Sequence, residues 1–112
     1  MEMTELARRE LYQRALKRFG IGTQTLLLAE ECAELTKACS KMFRISCGKP
    51  DKERLEKARE NIIEEMADVR IMIEQMRNGW NISEDEIQEA KEFKLQRLSR
   101  MMEAIENEEH ED

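Results

Sequence analysis

The chain of 112 residues carries a net charge of −6, is 39% charged and 4% aromatic, and holds one proline and four glycines. Its length points to one domain with a modest core, and its composition suits long helices and not a sheet. The charge excludes a nucleic-acid backbone as the main partner, because there is no basic excess to replace counterions. No apolar run approaches the ~20 residues that span a bilayer, which excludes a membrane partner.

Four helices follow in chain order. The first is predicted from about Thr4 to Phe19, with Leu11, Tyr12, Ala15, Leu16 and Phe19 on its inner side. Gly20-Ile21-Gly22 breaks it, and Thr23 is the expected N-cap of a second helix reaching about Ile45. Cys47-Gly48-Lys49-Pro50 turns the chain, and Pro50 or Asp51 opens the third helix, which ends near Asn78-Gly79. Ser83-Glu84-Asp85-Glu86 reads as a capping box that starts the fourth, whose inner residues are Ile87, Ala90, Leu98, Met101 and Ile105. The expected organisation is a single all-α domain over residues 1–105, followed by an acidic tail, 106–112, that frays.

The N-terminal segment MEMTELARRE is charged throughout and lacks the apolar stretch of a secretory signal. Three cysteines, an odd number, favour reduced thiols and a cytoplasmic location. Cys32 and Cys39 fall seven apart inside an apolar helical pattern, so both are expected to be buried structural residues. A bundle this small is marginal alone, so association into a homodimer or homotetramer is expected.

The informative residues are acids in the wrong place. A helix turns ~100° per residue, so shared faces can be read from numbering. On the second helix, Leu27, Leu28, Cys32, Leu35, Ala38, Cys39 and Met42 form one apolar stripe; Glu31 falls inside it, Glu34 on its border and Glu30 outside. On the third, the stripe is Leu55, Ala58, Ile62, Met66, Val69, Ile73 and Met76; Glu65 falls inside, Asp68 near the border and Glu64 outside. An unpaired carboxylate in a buried stripe destabilises the fold or takes up a proton. If the two helices form an antiparallel hairpin turning between Lys49 and Pro50, Glu31 faces Asp68 and Glu34 faces Glu65. Four acids aligned without a base point to a bound cation, and oxygen-only ligands suit Mg²⁺, with Mn²⁺ able to substitute, over zinc. The plainer reading is a solvated charged face, or a stripe Glu paired with Lys41 or Arg70.

Glu30-Glu31-Cys32-Ala33-Glu34, followed by Glu65-Met66-Ala67-Asp68, resembles the E-E-x-x-E … E-x-x-D signature of the MazG-like nucleoside triphosphate pyrophosphohydrolases, within the all-α NTP pyrophosphatase fold. The flanking Gln24–Ala29, Val69–Met76 and Lys91–Leu98 segments are similar too, and the resemblance covers roughly Gln24 to Met101. It implies a four-helix oligomeric bundle and Mg²⁺-dependent cleavage of a nucleoside triphosphate to the monophosphate and pyrophosphate, as in nucleotide-pool house-cleaning. It also implies Glu31, Glu34, Glu65 and Asp68 as metal ligands, with Glu30 as the first acid of the motif. The separation of Glu34 and Glu65 is at the long end of the family pattern, and the asparagine common in the last helix is not evident.

The hydrolysis needs a base, for which Glu30 and Glu34 are the candidates. It also needs fixed cations for the phosphates. Lys91 and Lys94 fall within the apolar stripe of the fourth helix with Arg97 on its flank, where the alternative is that their stems snorkel; Lys41 is a weaker candidate. The Gln24 amide could read a base edge. Trp80 could stack on a base, although a hydrophobic plug over the turn before the fourth helix is the preferred reading. Two other functions stay open: a dUTPase-like or phosphoribosyl-ATP pyrophosphatase variant, and a non-catalytic helical interaction module that keeps the fold.

Overall fold

The computed structural model describes residues 1–49 and 51–111. They form four α-helices and, among the described residues, no strand: α1 (Glu5–Phe19), α2 (Ile21–Cys47), α3 (Lys52–Gly79) and α4 (Glu84–Glu111). None of these helices is long and apolar enough to cross a membrane. The chain divides into two units, Met1–Asn81 and Ile82–Asp112.

Local chemistry sets the helix ends. Thr4 caps α1, its hydroxyl accepting the Ala7 amide at 3.1 Å, and Lys17 and Arg18 oppose the negative end of the helix dipole. Gly20, at φ 85°, makes the whole break. Its amide donates to the Leu16 carbonyl at 2.8 Å, and its own carbonyl accepts the Gln24 amide at 3.1 Å. Thr23 is therefore not an N-cap: one glycine at positive φ separates the two helices, so Ile21, Gly22 and Thr23 already belong to α2. Asp51 opens α3, its carboxylate accepting the Glu53 amide at 3.0 Å; the alternative opening residue, Pro50, lies outside the described residues.

Helices α2 and α3 form an antiparallel hairpin. Ile21 lies against Gly79, and the Thr25 hydroxyl reaches the Met76 sulfur at 3.5 Å, close to the register expected from the turn. The buried and half-buried positions of α2 are Ile21, Gln24, Leu28, Glu31, Leu35, Ala38, Met42 and Ile45, together with Leu27; those of α3 include Leu55, Ala58, Ile62, Glu65, Val69, Met72, Met76 and Gly79. Both series step alternately by three and four, the spacing of a helix seam. Helix α1 packs across the open end of the hairpin, where the Tyr12 hydroxyl donates to a Glu74 carboxylate oxygen.

The seam is narrower than the apolar stripes predicted it. Cys32 and Cys39 are exposed, as is Cys47, so the expectation of buried thiols fails. Leu11, Phe19, Met66 and Ile73 are exposed as well. The reason is geometric: a packed pair of helices covers the residues facing each other and leaves the flanks of a wide stripe open. Trp80 ends α3 and is 57% exposed, so it does not plug the turn.

In the second unit, Ser83 and Glu86 make the predicted capping box. The Glu86 carboxylate accepts the Ser83 amide at 2.7 Å, and the Ser83 hydroxyl accepts the Glu86 amide at 3.1 Å. These bonds to Ser83 hold the Glu86 carboxyl below the usual carboxylate range. Helix α4 runs through the expected frayed tail as far as Glu111, since neither glycine nor proline interrupts it. Its stripe residues Ala90, Leu98, Met101 and Ile105 are exposed.

Candidate metal centre

Glu31 and Glu65 occupy seam positions midway along the hairpin, where an aliphatic residue would ordinarily sit. Asp68 follows Glu65 by one turn on the same side. One carboxylate oxygen from each of Glu31, Glu65 and Asp68 falls within 4.8 Å of the others. Glu31 and Glu65 are half-buried and Asp68 is exposed, so the cluster opens to solvent on one side.

The electrostatics are unrelieved. The Glu31 carboxyl is pushed above the usual carboxylate range, first by loss of water and then by the charges of Asp68 and Glu65, a hydrogen bond with Asp68, and the charge of Glu34. Glu65 Oε2 is buried without a hydrogen-bond partner. Among the described residues, neither Lys41 nor Arg70 forms an ion pair with these acids, so the pairing that would have made the stripe acids merely structural is not formed. A divalent cation bound by oxygens would satisfy the orphaned oxygen and offset the mutual repulsion.

The structure thus brings together three of the four expected ligands. Glu34 stands on the exposed border, with Oε1 3.7 Å from the Lys37 Nζ; its charge still reaches Glu31. Glu30 is exposed on the outer side of α2. Gln24 is 3% exposed and lies one heptad before Glu31 on the seam, ~10 Å along the axis. Its Oε1 has no partner, and neither does that of Gln75, which is nearly level with it on α3. Sequence reasoning missed Gln75, although the hairpin register that pairs Glu31 with Asp68 also sets Gln75 opposite Gln24. It missed the Tyr12–Glu74 bond too, for which the sequence carries no local signal. That Tyr12 hydroxyl is pushed up to about 12 by burial, then by its bond to Glu74 and the charge there. Lys91, Lys94 and Arg97 lie exposed on α4, in the second unit.

Fold and site together describe an all-helical protein whose hairpin seam is interrupted by an acidic cluster. Comparison with family models, with curated proteins and with solved structures finds no match.

Proposed function

We propose that the chain is a Mg²⁺-dependent nucleoside triphosphate pyrophosphohydrolase, acting on a nucleotide and water to give the nucleoside monophosphate and pyrophosphate. The observation that carries this reading is the convergence of Glu31, Glu65 and Asp68, with a buried Glu65 oxygen left unpartnered. The resemblance of the two acidic motifs to the MazG-like signature supplies the reaction.

Glu31, Glu65 and Asp68 would hold the cation, and the charge of Glu34 reaches Glu31 beside them. A cation held there would supply positive charge against the phosphoryl oxygens and would make a neighbouring water more acidic. Glu34, exposed and next to the cluster, is better placed than Glu30 to take the proton from the attacking water. Gln24 and Gln75 offer amide groups at the end of the seam away from the turn.

A second copy of the chain completes this reading. The flanks of α2 and α3 expose Leu26 at 60%, Phe43 at 70% and Met66 at 49%, more apolar surface than isolated residues of a monomer ordinarily present. Association of hairpins into a homodimer or homotetramer would cover them.

The test is a panel of ribo- and deoxyribonucleoside triphosphates, including dUTP and phosphoribosyl-ATP, assayed for pyrophosphate release with and without Mg²⁺. Metal-dependent release sustains the proposal, and the preferred nucleotide separates a general enzyme from a dUTPase-like one. No release from any nucleotide, with thermal stability unmoved by millimolar Mg²⁺, would favour the non-catalytic module instead.

A further inference from the structure

The hairpin has a second charged region that the acidic cluster does not use. Near the turn, two adjoining hollows of ≈ 220 Å³ and ≈ 320 Å³ share Lys41, Ile45 and Arg54 in their walls. Arg44 and Lys49 line one of them, and Lys57 and Asn61 the other. Among the described residues, no carboxylate lines either hollow, although acids outnumber bases in the chain as a whole.

Four of the five cations there are also uncommitted. Lys57 pairs with Glu53 at 3.9 Å in an exposed contact that water weakens. Among the described residues, Lys41, Arg44, Lys49 and Arg54 have no ion-pair partner. Arg44 lies in the last turn of α2, where one cation offsets the helix dipole; that accounts for one charge and leaves the others. Like charges held this close repel one another, and an anion among them removes the repulsion.

Position gives the cluster further meaning. Arg54, Asn61 and Asp68 recur at steps of seven along α3, and Glu34 and Lys41 stand seven apart along α2. The basic hollows therefore lie on the same side of the hairpin as Asp68 and Glu34, one to two heptads nearer the turn, or ~10–20 Å. Walls with both arginine forks and lysine ammonium groups suit phosphate oxygens, which accept several donors at once.

We infer that the turn end of the hairpin is an anion site for oligophosphate groups, built on Lys41, Arg44, Arg54 and Lys57 and independent of any metal. It is separate from the acidic cluster and stands whether or not that cluster is catalytic.

Calorimetric titration of the full chain with inorganic triphosphate in excess EDTA tests this. Wild type binds, the affinity falls as salt is raised, and Glu65→Gln binds equally well. The paired substitution Lys41→Gln with Arg54→Gln weakens binding by at least ~10-fold. Far-ultraviolet circular dichroism checks that this variant keeps its helices, and single Arg54→Gln serves in its place if it does not. No binding by wild type, unchanged affinity in the glutamine variants, or loss of binding in Glu65→Gln would each overturn the assignment. So would binding to a single-stranded oligonucleotide with none to triphosphate.

Discussion

Two neighbouring layers of one seam carry opposite kinds of side chain. Ala38 on α2 and Ala58 on α3 are each 4% exposed. One heptad further from the turn on each helix, the equivalent positions are Glu31 and Glu65. The backbone frame is the same and the chemistry is opposite. The alanine layer lets the helices approach closely and asks nothing of solvent. The glutamate layer gathers charge that the chain itself does not neutralise. A protein selected only for stability would fill both layers with apolar side chains, and that difference is why the proposed function places cation binding in the acidic layer.

The sharpest way to break this comparison is Glu65→Gln, which keeps the shape and removes a charge. Pyrophosphate release should drop by more than ~100-fold, and the gain in melting temperature on adding Mg²⁺ should vanish; retention of both would mean the acidic layer is ordinary surface. Met72→Ala works on the opposite kind of position, a buried apolar residue one heptad from Glu65. It should lower unfolding free energy by about 2–3 kcal/mol in denaturant titration and leave the response to Mg²⁺ intact.

Tyr12→Phe removes the bond that ties α1 to α3 and should cost about 1 kcal/mol at neutral pH. The phenol is held above its ordinary 10.0, at about 12. Its contribution is therefore present below pH ~10 and is lost as pH rises towards 12. The stability gap between wild type and the phenylalanine variant should close across that window.

The smallest effect sharpens the comparison most. Because the Glu31 carboxyl is raised, the folded metal-free protein holds its proton more tightly than the unfolded chain does. Stability present at low pH is then lost as pH rises above the ordinary carboxylate value. In EDTA, wild type should fall below Glu31→Gln in melting temperature on going from pH 5 to pH 7, and saturating Mg²⁺ should reverse the order. Parallel curves for the two proteins would remove the electrostatic basis of the site.

The sequence made legible what depends on local chemistry and helical phase. The Ser83–Glu86 box and the inward placement of Glu31 and Glu65 follow from spacing within one helix. The approach of Asp68 to Glu31 needed only the hairpin register in addition. The width of the buried surface was not legible, because it depends on which neighbours cover each flank; hence Cys32, Cys39 and Trp80 lie open where burial was expected. The bond from Tyr12 to Glu74 joins residues far apart in the chain, and no periodicity encodes it.

Gly20 closes α1 and begins α2 with no linker between them. A joint of one residue leaves no slack to absorb an error in length. A single residue inserted between Tyr12 and Gly20 would rotate the phenol by ~100° about the α1 axis, away from Glu74. In this molecule the spacing from ring to joint is a fixed dimension, and a change of helix length there acts like a change of side chain.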